Sequence, residues 1–346
     1  MTGEPSPPHR RRPRYAGTHP RRFGEKYKEH APAQYPETVA KVLASGKTPA
    51  GSHVPVMVQE VLDVLRPRPG GTAVDCTLGY GGHARHLIPR LLPGGFLLGL
   101  DVDPLELPRT EARLRALGFD EGVFRARRSN YAGLPQALAA EGLARADCIL
   151  ADLGVSSMQL DTPQRGFSTK AAGPLDMRMN PSRGQPASAL LFRLTPDRLA
   201  RLLAGNADEP HAPELADALA GRLFEETTAL ADAVRSALPH LDDKGRDEAV
   251  RRVFQALRIA VNDEFAALNA LLRHLPSCLN PGGLVAILAF HSGEDRRVKQ
   301  AFKSGLRDGA YDAIADDVLR PSPSECRANP RAKAAKLRWA RRHSQE

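Results

Sequence analysis

Short apolar runs alternate with amphipathic stretches between about residue 72 and residue 152. Apolar runs of strand length lie at Thr72 to Asp75, Phe96 to Leu100 and Ala146 to Asp152, and we predict a further strand over Val123 to Arg128. This alternation predicts an α/β fold with a parallel, doubly wound sheet, whose ligands bind beyond the carboxyl ends of the strands. Asp75, Asp101 and Asp152 end or directly follow strands, so we expect their carboxylates at that edge.

The alternation stops after Asp152, and helical periodicity continues to about residue 275 without a convincing strand. We predict helices near Ala187 to Arg193, Pro196 to Ala204, Ala212 to Phe224, Thr228 to Leu238 and Asp247 to Leu275. An apolar strand then ends at Phe290. We therefore predict an all-helical domain, residues 159–257, inserted between two parts of the sheet domain, residues 51–158 and 258–320. A helix over residues 53–65, begun by Pro55, would pack beside the first strand.

The net charge of +9 is concentrated at the two ends of the chain. Residues 1–50 hold ten Lys/Arg and four Asp/Glu, and residues 327–346 hold seven and one. The residues between them therefore carry a net charge of −3. We interpret residues 1–50 as a flexible basic extension and residues 321–346 as a basic tail. Solubility alone would explain such charge, but we favour contact with nucleic acid, because basic tails commonly bind phosphates.

The cysteines and the apolar runs indicate the compartment. Cys76, Cys148, Cys278 and Cys326 lie far apart without a C-x-x-C pair, which argues against a zinc site and against a disulfide framework. The longest apolar runs have the length of strands, and the first thirty residues lack the apolar core of a signal peptide. We therefore expect a cytoplasmic protein with no metal and no membrane role.

A glycine-rich turn follows the first strand, in T-A-V-D-C-T-L-G-Y-G-G-H. Gly79, Gly81 and Gly82 would let a ligand approach the backbone closely, and Asp101 could accept hydrogen bonds from both hydroxyls of a ribose. This combination indicates a nucleoside-containing cofactor. A dinucleotide site usually has G-x-G-x-x-G, whereas this turn is G-x-G-G with Asp75 nearby. A carboxylate there would repel a pyrophosphate but suit the ammonium of S-adenosylmethionine, which we favour.

Three further features each have two interpretations. The loop after Asp152 is functional or purely structural. A stripe of polar residues on one helix is a ligand-binding face or a solvated one, and consists of Arg251, Gln255, Arg258 and Asn262. His291 begins the next helix or points into the site, with Ser292 to Asp295 resembling a capping box.

These motifs together resemble the RsmH (MraW) family of small-subunit ribosomal RNA methyltransferases. The resemblance runs from about His53 to Leu337. The matching segments are H-V-P-V-M, D-C-T-L-G-Y-G-G-H, L-D-V-D-P, L-A-D-L-G-V-S-S-M-Q-L-D, R-G-F-S, G-P-L-D-M-R-M-N-P, F-Q-A-L-R-I-A-V-N-D-E, F-H-S-G-E-D-R-R-V-K and N-P-R-A-K-A-A-K-L-R. The resemblance implies a Rossmann-like methyltransferase sheet with a helical insert, and methylation of N4 of a cytidine in the decoding region of 16S ribosomal RNA. The small ribosomal subunit would be the partner.

The resemblance also implies a set of cofactor contacts. S-adenosylmethionine would be held by Gly81, Gly82, His83, Asp101, Tyr131, Asp152 and Gln159. Three departures from the family pattern stand beside this set. G-N-A-D-E-P-H-A occupies Gly205 to Ala212, where the family has aromatic-G-E-E-R-F/Y-A. Cys76 replaces the glycine of D-G-T, and the first fifty residues lie outside the shared core.

The chemistry assigns roles to the remaining candidates. The cytosine amine is a poor nucleophile and needs in-line positioning. We expect Asp152, or a nearby backbone carbonyl, to accept a hydrogen bond from it, while Phe290 and His291 form walls. The target base must also be exposed. For RNA contact we select the loop residues Arg165, Phe167, Asp176 and Arg178, and the stripe of Arg251, Gln255, Arg258 and Asn262.

Two other classes of function compete. A non-catalytic RNA-binding assembly factor would keep S-adenosylmethionine only for stability, and would bind the cofactor without methyl transfer. A NAD-dependent dehydrogenase is less favoured because G-x-G-x-x-G is missing. The sequence does not determine the oligomeric state.

Overall fold

The computed structural model describes residues 55–344, and a seven-stranded sheet forms its centre. The strands are β1 (Thr72–Asp75), β2 (Phe96–Asp101), β3 (Phe124–Arg128), β4 (Ala146–Asp152), β5 (Leu279–Ala289), β6 (Tyr311–Ile314) and β7 (Lys336–Arg342). Their order is β3-β2-β1-β4-β5-β7-β6. Strands β1 to β5 run parallel, and β7 is antiparallel to both of its neighbours. The predicted α/β class with a Rossmann-like sheet is confirmed.

Helices cover both faces of this sheet. They are α1 (Val58–Leu65), α2 (Ala84–Leu91), α3 (Glu106–Ala116), α4 (Leu134–Ala140), α11 (Glu264–Cys278) and α12 (Ser292–Arg307). Side chains alternate between the two faces along a strand. Accordingly Val74 and Ile149 belong to one buried core, whereas Ala73 and Leu150 belong to the other.

The chain between β4 and β5 is helical and has an apolar core of its own. Its helices are α5 (Ser157–Asp161), α6 (Ala187–Arg193), α7 (Pro196–Ala207), α8 (Ala212–Leu219), α9 (Thr227–Ala237) and α10 (Asp243–Asn262). Buried residues from Phe167 to Leu257 form this third core. The proposed division at residues 257 and 258 falls inside α10, so that boundary does not coincide with the end of an element.

Several predicted helix bounds are wrong, and the helix predicted over Ala212 to Phe224, for example, ends at Leu219. The single helix predicted over residues 247–275 is two helices, because Asp263 adopts a left-handed conformation with φ of 50° between α10 and α11. The helix predicted from Pro55 begins at Val58, after Met57 with φ of 55°. Its start is held from the far end of the chain, where Glu325 in α13 (Pro323–Ala328) accepts a 2.8 Å hydrogen bond from the Met57 N–H.

The predicted basic tail is largely part of the fold. Strand β7 lies between β5 and β6, with Leu337 opposite Leu288 and Trp339 opposite Ala286. Its charge does not keep it in solvent, because carboxylates pair with two of its arginines, Arg338 and Arg341. The buried Arg338 pairs with Asp295 at 2.7 Å. The predicted extension, residues 1–50, lies outside the described residues. Within residues 55–344, no helix is both long and apolar enough to cross a membrane.

Candidate active site

A cavity of about 370 Å³ lies at the carboxyl edge of the sheet. It is bounded by the turn after β1, the ends of β2 and β4, and α10 and α11. Six of the seven predicted cofactor residues line it: Gly82, His83, Asp101, Tyr131, Asp152 and Gln159. Parallel strands bring residues distant in sequence to one edge. The sequence prediction of a single site at this edge therefore matches the position of these groups.

The glycine turn shapes one wall of this cavity. Gly81 has a φ of 80°, which favours glycine, and a Cβ there would lie 3.1 Å from the Thr110 side chain. Gly81 is thus required for the turn and its packing, and does not itself line the cavity described here. Gly82 does line it, and a Cβ there would lie 3.1 Å from Pro55.

Asp101 holds the turn against β2. Its Oδ2 accepts a 2.7 Å hydrogen bond from the Gly79 N–H, and its Oδ1 accepts one of 2.9 Å from the Asp103 N–H. Burial raises the pKa of Asp101 to about 6. Each carboxylate oxygen accepts one of these bonds and has a second lone pair, so the group keeps acceptor capacity for ribose hydroxyls.

Asp75 does not have the position expected of it. It is 1% exposed and is not among the residues that line the cavity, because its carboxylate turns back to accept the Thr77 N–H at 3.1 Å. Burial raises its pKa to about 6. Direct contact between Asp75 and a cofactor ammonium is therefore not supported.

His83 and Asp152 form a pair across the turn. His83 Nε2 lies 3.5 Å from Asp152 Oδ2, and the Asp152 N–H donates to Thr77 Oγ1 at 2.6 Å. Burial lowers the pKa of His83, but the neighbouring carboxylates of Asp152 and Asp75 more than offset burial, so its pKa is raised. The pair therefore places an imidazole and a carboxylate side by side at the edge of the cavity.

Asp103 lines the first cavity and is absent from the predicted set of site residues. It is 1% exposed, and its Oδ2 accepts hydrogen bonds from Gln159 Nε2 at 3.0 Å and from Arg165 Nη1 at 2.7 Å. Arg165 also donates to the carbonyls of Arg178 and Met179. This network fixes Gln159 and the loop after β4 to the end of β2. The L-D-V-D-P segment, in which Asp103 is the second aspartate, is the feature of the sequence that could have indicated this residue.

A second cavity, of about 420 Å³, adjoins the first. Val155, Leu160, Arg258 and Arg331 line both of them. Its other polar lining includes the stripe residues Arg251 and Gln255 and the loop residue Lys170, and the apolar Phe167 of the loop also lines it. The two cavities therefore form one site with an acidic cofactor edge and a more basic outer part, and Lys170 and Arg331 are additions to the predicted set.

The four residues of the polar stripe on α10 make different contacts. Arg258 makes a two-point ion pair with Glu264, another residue that the sequence prediction missed. Asn262 anchors the loop, because its Oδ1 accepts the Met179 N–H at 2.7 Å and its Nδ2 donates to the Met177 carbonyl at 2.8 Å. Arg251 and Gln255 face the second cavity.

Phe290 and His291 have different roles. Phe290 lines the first cavity, and its N–H donates to Glu294 Oε2 at 2.9 Å. His291 lines neither of the two cavities described here, and its Nδ1 accepts the Glu294 N–H at 3.4 Å as the N-cap of α12. The capping residue is thus His291 and not Ser292. The expectation that His291 forms a cavity wall is not supported.

The remaining loop candidates have partners within the loop. Phe167 is 6% exposed and belongs to the third core, although it also lines the second cavity. Arg178 and Asp176 form an ion pair at 2.7 Å. Their side chains support the loop in this conformation, so RNA contact by them remains a prediction.

Comparison with known proteins identifies the family of this chain. Residues 50–343 match the family model described as the MraW methylase family. The chain belongs to the MraW methylase family. The sequence resemblance stated above is therefore confirmed, and a dehydrogenase is excluded as the family of this chain.

Two curated relatives in this family show the extent of similarity. Ribosomal RNA small subunit methyltransferase H 1 of Lachnoclostridium phytofermentans is 45% identical over 353 residues, covering 98% of this chain and 96% of the relative. Ribosomal RNA small subunit methyltransferase H 2 of Alkaliphilus metalliredigens is 46% identical, covering 95% and 97%. The family model begins at residue 50, which agrees with the expectation that the first fifty residues lie outside the shared core, although the first alignment extends into them.

Proposed function

We propose that this MraW-family protein transfers a methyl group from S-adenosylmethionine to the N4 amine of a cytidine in the decoding region of 16S ribosomal RNA. One observation carries the proposal: a cavity with a glycine turn and two strand-end carboxylates opens into a second cavity lined by cationic side chains. The family and the names of the relatives support the same reaction. The small ribosomal subunit in the cytoplasm is the partner that this substrate implies.

The first cavity fits the cofactor. S-adenosylmethionine would supply an electrophilic methyl group beside the glycine turn. Asp101 would accept the ribose hydroxyls. Gly82 and His83 before α2, Asp152 at the end of β4, and Tyr131 and Gln159 would line the rest of the cofactor site. Gly81 acts through the shape of the turn. The volume of about 370 Å³ lies in the usual range for small-molecule sites.

The acceptor side of the reaction depends on Asp152. Its carboxylate would accept a hydrogen bond from the cytosine amine and favour the pyramidal nitrogen that attacks the methyl group. Holding the two reacting atoms in line at near-attack distance contributes most to such a reaction. After transfer the nitrogen must lose a proton, for which Asp152 is the nearest carboxylate in the proposed geometry. Phe290 would cover the base from the side of β5.

The second cavity provides the RNA side. Lys170, Arg251 and Arg331 line it with cationic groups, which suit phosphates near the target nucleotide, and Gln255 lines it with an amide. A base drawn from the RNA would reach Asp152 past Arg258, which lines both cavities. Arg165, Asp176, Arg178 and Asn262 would shape this path by holding the loop, and Phe167 would form its floor. The proposed helical insert, residues 159–257, supplies most of this surface.

Methyl transfer to small subunits that lack the modification tests the proposal. Purified full-length protein, S-adenosylmethionine and such subunits should yield N4-methylcytidine in the decoding region, detected by mass spectrometry of the RNA. Binding of the cofactor without transfer would contradict the proposal and select the non-catalytic assembly factor. Free 16S RNA run in parallel determines whether the assembled subunit is required.

A further inference from the structure

Three metal-ligating side chains converge on the surface of the helical segment, away from both cavities. His211 is the N-cap residue of α8, Glu214 lies in the first turn of that helix, and His240 follows α9. A nitrogen of each histidine and an oxygen of the glutamate lie within 4.8 Å of one another. The imidazole rings stand edge to face with centroids 5.4 Å apart. The two histidines therefore meet at one carboxylate from separate parts of the chain.

The two histidines do not form hydrogen bonds with Glu214 in this structure. His211 Nδ1 lies 4.0 Å from Glu214 Oε2, and His240 Nδ1 lies 3.7 Å from Glu214 Oε1. Both separations are too long for hydrogen bonds. No other protein partner is found for these donor atoms among residues 55–344, and no Lys or Arg pairs with Glu214 there. A small cation between the three ligands would satisfy all of them together.

The ligand chemistry selects the kind of ion. Two imidazoles and one carboxylate suit zinc and similar transition-metal ions, whereas calcium and magnesium prefer oxygen ligands. Ligands of one tetrahedral zinc ion lie about 3.4 Å apart, so the two histidine-to-glutamate separations of 4.0 and 3.7 Å must shorten by about 0.6 and 0.3 Å when an ion binds. The ligands are part-exposed, with the Glu214 side chain 46% exposed, which leaves the fourth position to water.

We propose that His211, Glu214 and His240 form a binding site for a zinc-type divalent ion. The ion joins the start of α8 to the turn after α9. The backbone N–H of His211 donates to Glu209 at 3.0 Å, which holds the residue in place. The site also lies close to a contact with the sheet domain. Asp208, three residues before His211, accepts hydrogen bonds from Ser292 and Arg296 at the start of α12.

This arrangement predicts a mechanical effect of the ion. An ion that fixes His211 also restrains the segment that carries Asp208, and with it the contact between α7 and α12. That segment, Gly205 to Ala212, is one of the three departures from the family pattern named above. None of the three ligands lines either cavity, so the proposed site does not depend on the proposed reaction.

Titration of the metal-free full-length protein with zinc chloride tests the site. We expect one equivalent to bind with a dissociation constant that rises about tenfold or more in each of His211→Ala, His240→Ala and Glu214→Gln. His274→Gln, on α11 and outside the cluster, is the matched control and should bind like the wild type. Zinc should also raise the melting temperature of the wild type and the control, and not of the ligand variants.

Cobalt substitution supplies an independent signal, since the visible absorption of bound cobalt reports its ligands. The wild type and His274→Gln should share one spectrum, which the His211→Ala/His240→Ala double variant loses. Circular dichroism without metal should be the same for all variants. A double variant that binds zinc as tightly as the wild type would overturn the proposal, and so would a wild type that binds none.

Discussion

Arg258 and Glu264 form a two-point ion pair across the break between α10 and α11, with Nε to Oε1 at 2.8 Å and Nη2 to Oε2 at 2.9 Å. The Arg258 side chain is 15% exposed, and its Nη1 has no hydrogen-bond partner among residues 55–344. The guanidinium lies where the two cavities meet. Glu264 thus holds Arg258 in place while one edge of the guanidinium stays available for the nucleotide.

Removing Arg258 should weaken RNA modification more than cofactor binding. Arg258→Ala also leaves Glu264 buried without its partner, which costs about 3–5 kcal/mol of stability. The Arg258→Ala/Glu264→Ala double variant separates the two effects, because it removes both buried charges. We expect it to regain much of the stability and the affinity for S-adenosylmethionine while RNA methylation stays low. Equal losses of methylation and cofactor affinity in the double variant would contradict this role.

Cofactor affinity should fall in acid because of Asp101. Burial raises the pKa of this carboxyl from 3.8 to about 6, so it becomes protonated in the folded protein below that pH. The protonated group accepts ribose hydroxyls less well, and affinity should drop by up to about tenfold per pH unit below the pKa. Asp101→Asn should bind weakly at all pH values and lose this dependence.

Asp101 should also make the stability of the protein depend on pH. Cofactor affinity should rise with pH, whereas the contribution of Asp101 to stability should fall. Between pH 3.8 and about 6 the folded state binds more protons than the unfolded state, so the free energy of unfolding falls as pH rises through this window. In Asp101→Asn the fall should be smaller without cofactor, as measured by denaturant unfolding. Asp75 has a pKa of about 6 for the same reason, so part of the fall should remain.

Lys170 should contribute to RNA affinity through charge alone. It is exposed and lines the second cavity, and it has no ion pair with any residue the structure describes. Lys170→Ala should weaken RNA binding and reduce its salt dependence by about one phosphate contact, with cofactor affinity unchanged. Lys244→Ala is the matched control, since Lys244 is exposed at the start of α10 and lines neither cavity. Equal effects of the two substitutions would exclude a local role for Lys170.

Strand β7 should be essential for folding. It pairs with β5 over six residues and with β6 on its other side, and Leu337 and Ala340 are fully buried. Deletion of residues 336–346 should therefore abolish cooperative thermal unfolding, whereas deletion of residues 343–346 should leave it nearly intact. A folded protein after the longer deletion would show that this segment is a tail after all.

The parts of this structure that the sequence predicted are those set by local patterns. Strands β1, β2, β4 and β5 contain apolar runs, and the ends of β2 and β4 bring Asp101 and Asp152 to one edge because parallel strands share it. Strand β7, K-L-R-W-A-R-R, could not be identified in the same way, since its buried Arg338 depends on Asp295, which is distant in sequence.

The site residues missed by the sequence prediction depend on tertiary contacts. Asp103 binds Arg165 from 62 positions away in the chain. Glu264 became visible as a partner of Arg258 only once Asp263 was seen to separate two helices, and neither glycine nor proline marks that break. For His291 the sequence allowed two positions, at the start of a helix or in the site. The structure shows the local one, because its side chain caps α12.

Methyl transfer by Asp152 variants tests the central claim most directly. Wild type, Asp152→Asn and Asp152→Ala should be compared on small subunits lacking the modification, with the S-adenosylmethionine affinity of each protein measured in parallel. We predict N4-methylcytidine in the decoding region with the wild type. The rate should be about 100-fold lower in Asp152→Ala at saturating cofactor. Full methyl transfer by Asp152→Ala with unchanged cofactor affinity would contradict the account.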